Sequence, residues 1–126
     1  QLDGRALVPL DTIPLVPRAQ VDDVVGDQSA GLSITPDGRR GFAGLRGSDQ
    51  LAVLASDGTG QRVHAVGGIP TGGHWPRHHL LDGDVVHTAN ERSNSVVSLR
   101  LGPDGEDAVQ IGETQRVASA TYLLPA

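Results

Sequence analysis

The side chains that could do chemistry in this 126-residue chain are concentrated in His74-Trp75-Pro76-Arg77-His78-His79. His74 and His78 are four apart, a spacing that on a helix would place two imidazoles on one face for a metal ion. Pro76 between them disfavours that helix, and no carboxylate or cysteine is spaced to complete a ligand set. No metal and no cofactor are expected. The plainer reading is a loop whose histidines bond to the backbone, with one of His74, His78 and His79 able to touch a ligand beside Arg77. His87, alternating with Val86 and Thr88, reads as a packed structural histidine. The break Asn90-Glu91-Arg92 offers a carboxamide suited to capping a turn and a carboxylate suited to the surface. Arg46, in Leu45-Arg46-Gly47, reads on its own as one half of a surface ion pair with Asp49 or Asp37. Ser29, Ser33 and Ser48 lack a G-x-S-x-G setting, so a serine nucleophile has no support.

The elements that must position these groups are short strands. Apolar runs separated by Asp-Gly, Gly-Gly and Asn-rich breaks every eight to twelve residues describe antiparallel hairpins. Asp37-Gly38 recurs 45 residues later as Asp82-Gly83, and the two segments align without a gap as far as Leu54 and Leu99. In that alignment the break Arg46 to Asp49 falls on Glu91 to Asn94. A repeat of roughly 40–45 residues made of four strands is the mark of a β-propeller blade, a sheet that cannot bury both faces without neighbours. The fold expected is all-β, with about two four-stranded antiparallel blades and flanking strands. Residues 1–27 read as the end of a preceding blade and a linker, 28–71 as one blade, and 72–126 as a final blade with a closing strand over Thr121 to Leu124. No helix is expected, because glycines interrupt every window that could carry a helical period.

Composition narrows the partners. The formal charge is −5 and the arginines are scattered, so the basic footprint of a nucleic-acid surface is missing. No apolar run approaches the ~20 residues of a membrane span. The lack of cysteine fits a reducing compartment, and the cytoplasm is the expected location. A closed ring needs at least about four blades, more than 126 residues supply. With no methionine even at position 1, the chain reads as part of a longer frame whose other blades lie upstream. Self-association of several copies is the alternative source of those blades.

The phrases ITPDGRRGFAGLRGSDQLAVL and GGHWPRHHLLDGDVVHTANERSNSVVSL resemble the C-terminal blades of the lactonase family of seven-bladed propellers, the family of bacterial 6-phosphogluconolactonase and fungal carboxy-muconate lactonising enzyme. The resemblance runs over residues 27–125. It implies lactone chemistry, with a site on one face of the ring that combines histidine, glutamate and arginine from several blades. Arg46 matches the family arginine and Arg77 is a second candidate, so both carry the catalytic expectation; His78, Asn90 and Glu91 are the substrate-binding expectation. Arg46 ends a second strand and Arg77 begins a first, positions on the same side of an antiparallel blade. Two guanidiniums there suit an anionic small-molecule lactone and could stabilise an oxyanion at its carbonyl. The competing class is a propeller that binds a ligand or protein on its channel face without catalysis.

Overall fold

The computed structural model describes residues 11–15 and 26–126, which hold eight strands and no helix. Strands β1 (Ser29–Ile34), β2 (Arg40–Leu45), β3 (Gln50–Ser56) and β4 (Val63–Pro70) form one antiparallel sheet in chain order. Strands β5 (Pro76–Asp82), β6 (Val85–Asn90), β7 (Ser95–Leu101) and β8 (Ala108–Arg116) form a second sheet of the same topology. The repeat is metrical: β2 and β6, β3 and β7, and β4 and β8 each begin 45 residues apart. The segment assigned to a preceding blade falls largely on residues 1–10 and 16–25, outside the described residues. Asp11 to Leu15 forms no strand.

Local chemistry sets each corner. In Thr35-Pro36-Asp37-Gly38 the Gly38 amide donates to Thr35 O at 2.8 Å, and the Asp37 carboxylate accepts from Thr35 Oγ1 and the Arg39 amide. Those two bonds hold the Asp37 carboxyl below the usual carboxylate range. Gly72, in the crossover between the sheets, has φ +70°, and an added Cβ would lie 2.9 Å from Val97 Cγ1. Only glycine suits both demands.

Period-2 alternation sends one face of each sheet to the other. Phe42, Leu51, Val53 and Ile69 of the first sheet join Val86, Val97 and Leu99 of the second in a single buried cluster. The opposite face of the first sheet carries Ala43, Leu45 and Ala52, with Leu15 packed against them. His87 stands in the repeat where Phe42 stands in the first sheet. Phe42 is sealed in the core, whereas His87 is half-buried and bonds to Ser98 Oγ at 2.8 Å, the structural role expected of it.

Polar latches at both ends fix the angle between the sheets. At the end carrying the β1–β2 turn, Arg40 Nε donates to Asp104 O at 2.8 Å and Nη2 to Glu106 Oε1 at 3.0 Å. At the other end Asp49 reaches the crossover. Residues beyond β8 repeat that device: Val117 N–H donates to Asn94 O and Ser119 N–H to Asn94 Oδ1, as Thr71 and Trp75 do to Asp49. The closing strand expected over Thr121 to Leu124 is not a strand. The segment lies against β5 and donates Leu123 N–H to a side chain, Nδ1 of His78, instead of entering a ladder.

Phe42 is the largest side chain shared by the two blades. Phe42→Ala is expected to cost about 3–5 kcal/mol through lost transfer energy and the cavity left behind. Equilibrium urea unfolding of the variant against the parent checks this.

Candidate functional site

The β2–β3 and β6–β7 hairpins and the crossover 71–75 share one end of the molecule, because antiparallel order returns the chain there after every second strand. The first hairpin is held by Asp27, whose Oδ1 accepts from the Gly47 and Ser48 amides at 2.6 and 2.7 Å. An added Cβ on Gly47 would lie 2.7 Å from that oxygen, which explains glycine after Arg46. Arg46 is not paired with Asp49 or Asp37. It donates from Nε to Gln28 O at 3.3 Å and from Nη2 to Ser29 O at 3.2 Å.

Asp49 is committed to the crossover. Its backbone is left-handed, at φ 60°, and its O accepts from the Thr71 amide and hydroxyl. Its Oδ1 accepts from Trp75 N–H at 2.7 Å, and its Oδ2 accepts from Nδ1 of His74. Trp75 is also left-handed, at φ 65°, a conformation that persists where several bonds over-determine it. Here Asp49 takes its N–H and Glu91 N–H donates to its O at 3.1 Å.

This fixes an indole between two blades. The Arg92 guanidinium lies over the Trp75 ring, 3.4 Å from its centroid, and the Arg46 guanidinium is 5.8 Å from it. Arg77 Nη1 is 3.5 Å from Glu91 Oε2 at the same end. That carboxylate oxygen is buried and makes no hydrogen bond, as are Asp27 Oδ2 and Ser48 Oγ. This end thus gathers the guanidiniums of Arg46, Arg77 and Arg92 with the carboxylates of Asp27, Asp49 and Glu91, and it is Arg46 and Arg92 that lie at the Trp75 ring. A cation over an indole is attracted by the ring quadrupole, so both guanidiniums are oriented before any ligand arrives.

Arg46, Arg77 and Glu91 are thus brought to one end, around a tryptophan. Asn90 is not on that surface: it is fully buried, and its Nδ2 donates to Thr71 O at 3.1 Å and Thr88 Oγ1 at 3.3 Å. It supports the crossover from beneath. His78 shares no partner with the arginines; its ring centroid lies 4.0 Å from that of Tyr122, and it accepts from Leu123 N–H. From sequence His74 was read only within the histidine cluster and Asp49 only as a surface partner of Arg46, and Arg92 was given no role of its own. The signal for Asp49 was its alignment with Asn94 in the repeat; nothing in sequence announces the stacking of Arg92. Among the described residues, no group of three histidines or carboxylates could hold a metal ion, and no helix is long and apolar enough to cross a membrane.

Two repeated blades with a polar, arginine-rich end define a β-propeller segment. The chain belongs to the lactonase family: the model for "Lactonase, 7-bladed beta-propeller" matches residues 1–125. Among solved structures, the chain is similar to a periplasmic gluconolactonase of Pseudomonas aeruginosa, with 23% identity over 76% of this chain and 27% of that one, TM-score 0.69. It is also similar to a protein from Lactobacillus plantarum, with 19% identity over 86% of this chain and 31% of that one, TM-score 0.73. A third is a Bacteroides fragilis protein described as a candidate 6-phosphogluconolactonase, with 22% identity over 74% of this chain and 27% of that one, TM-score 0.67. The chain spans less than a third of the length of these structures. No curated protein sequence matches it.

The other histidine of β5 serves the blade interface. His79 is buried and shares a 2.9 Å hydrogen bond with Ser33 Oγ of the first blade. Burial, with a smaller contribution from His78, lowers its pKa from 6.5 to about 4; burial lowers that of His78 as well. The unfolded chain takes up a proton at His79 near pH 6.5, and the folded chain resists it down to about pH 4. Stability is therefore full above pH 6.5 and falls as pH drops through that window. Urea midpoints measured across it are expected to decline toward acid, and His79→Gln is expected to flatten most of the decline.

Proposed function

We propose that this chain supplies two blades of a lactonase ring and that the intact protein hydrolyses an anionic sugar lactone such as 6-phosphogluconolactone. The observation that carries the reading is the convergence of Arg46 and Arg92, from different blades, on the single Trp75 ring. Arg46 spends Nε and Nη2 on backbone carbonyls, which fixes the plane of its fork. A fixed guanidinium loses little freedom on meeting a phosphate or carboxylate and keeps its charge at every working pH. The remaining nitrogen of that fork, Nη1, aimed at a lactone carbonyl, would stabilise the oxyanion formed on attack.

Within this reading Arg46 is the primary anion and carbonyl ligand, and Arg77 is secondary, its charge tempered by Glu91. Glu91 is about one-third exposed and its Oε2 faces Arg77, so Oε1 is the oxygen that would accept from a sugar hydroxyl. The remaining blades come from the rest of the protein in preference to further copies of this chain, since a sevenfold ring is not a multiple of two blades. The cytoplasm is the proposed compartment, and the cysteine-free composition fits it.

The test is steady-state hydrolysis by the intact protein of 6-phosphogluconolactone and of its unphosphorylated counterpart. Arg46→Ala is expected to lower kcat/KM for the phosphorylated lactone about 10²-fold, with a smaller loss for the neutral one. Tight binding of the lactone without turnover would assign the site to a ligand-binding propeller instead.

A further inference from the structure

We infer that the Asp49–His74 pair is the water-activating base of this face. The inference rests on the proposed lactonase activity and assigns a catalytic role to His74 and a positioning role to Asp49, residues of adjoining blades. His74 Nδ1 donates to Asp49 Oδ2, and the imidazole is about half exposed, with a side-chain accessibility of 52%. A histidine whose Nδ1–H is held by a carboxylate carries its lone pair on Nε2, the tautomer a general base needs.

The pair is also rigid. His74 N–H donates to Ser93 Oγ at 2.9 Å, and His74 O accepts from Arg92 N–H at 3.2 Å. Asp49 is held by its bonds to Thr71 and Trp75, and those bonds lock Trp75 in the left-handed region. Such over-determination serves pre-organisation when it falls beside a site. Here it falls beside the two guanidiniums. The imidazole stands edge-on to the Trp75 ring, 6.3 Å between centroids, and Trp75 is the residue on which Arg46 and Arg92 converge. A base and a guanidinium beside one indole are the two kinds of group that lactone hydrolysis uses.

In the hydrolytic step, water attacks the lactone carbonyl carbon as Nε2 of His74 takes one of its protons, and the carbonyl oxygen becomes an oxyanion facing Arg46. The tetrahedral species then expels the ring oxygen, which takes the proton back from the imidazolium as the acyl C–O bond breaks. The product is the open hydroxy acid, and Asp49 keeps its charge throughout, steadying the imidazolium in between.

The experiment uses the intact protein with 6-phosphogluconolactone. His74→Gln is expected to lower kcat about 10²-fold with KM nearly unchanged, and added imidazole is expected to restore part of the activity of His74→Ala. Nitrogen-15 NMR of the wild type is expected to show His74 protonated at Nδ1 and bare at Nε2. Full kcat in His74→Gln, alongside a damaged Arg46→Ala, would overturn the base and leave the anion site standing. A His74 protonated at Nε2 when neutral would overturn it independently of any substrate. Wild-type protein inert toward every lactone, with Arg46→Ala indistinguishable from it, would overturn the functional reading and the base with it.

Discussion

The carboxylate and carbonyl of Asp49 hold this structure in its working form. One residue at a hairpin tip of the first blade takes the amide and hydroxyl of Thr71, the amide of Trp75 and the imidazole of His74. Thr71 passes the constraint inward, since its carbonyl accepts from Thr88 Oγ1 and Asn90 Nδ2 in the second blade. The crossover is thereby tied to the hairpin before it and the strand after it. Buried backbone groups must be paired, and a crossover too short to form secondary structure has only such side chains to call upon.

That constraint is shared between fold and site. The bonds that set the angle between the blades also force Trp75 into a left-handed conformation and bring its indole against Arg92. The hydrophobic core around Phe42 and Val97 supplies the bulk of the cohesion and tolerates some rotation of one sheet on the other. The polar latches at Asp49 and Arg40 remove that freedom because hydrogen bonds are directional. Hydrophobic burial makes the two blades adhere, and the latches decide where Arg46 and Arg92 meet.

The blade architecture was legible in sequence because turn chemistry and alternation are local signals. Asp37-Gly38 and Asp82-Gly83 marked the same corner twice, and the strands after them begin at matched positions. The shared end of Arg46, Arg77 and Glu91 was legible for the same reason, since antiparallel order alone dictates it. The interior of the site was not. Asn90 sits at a polar break yet is buried, because Gly73 leaves no side chain above it and its amide is needed by the Thr71 carbonyl. Arg46 looked like the natural partner of Asp49, but a crossover 22 to 26 residues further on had the stronger claim on that carboxylate. His78 was drawn to the tail by Tyr122, a contact between residues more than forty positions apart. Long-range competition for a few polar groups leaves no period in the sequence to read.

An anionic lactone held at the end of the propeller where Arg46 and Arg92 flank Trp75 is the centre of the functional reading. A crystal structure of the intact protein with 6-phosphogluconate, the hydrolysis product of the proposed substrate, tests it most directly. The ligand is expected at that end, with an oxygen within hydrogen-bonding distance of the Arg46 guanidinium and its sugar chain beside Trp75 and His74. A ligand bound at the opposite end, near Asp37 and Asp104, or away from both blades, would contradict it.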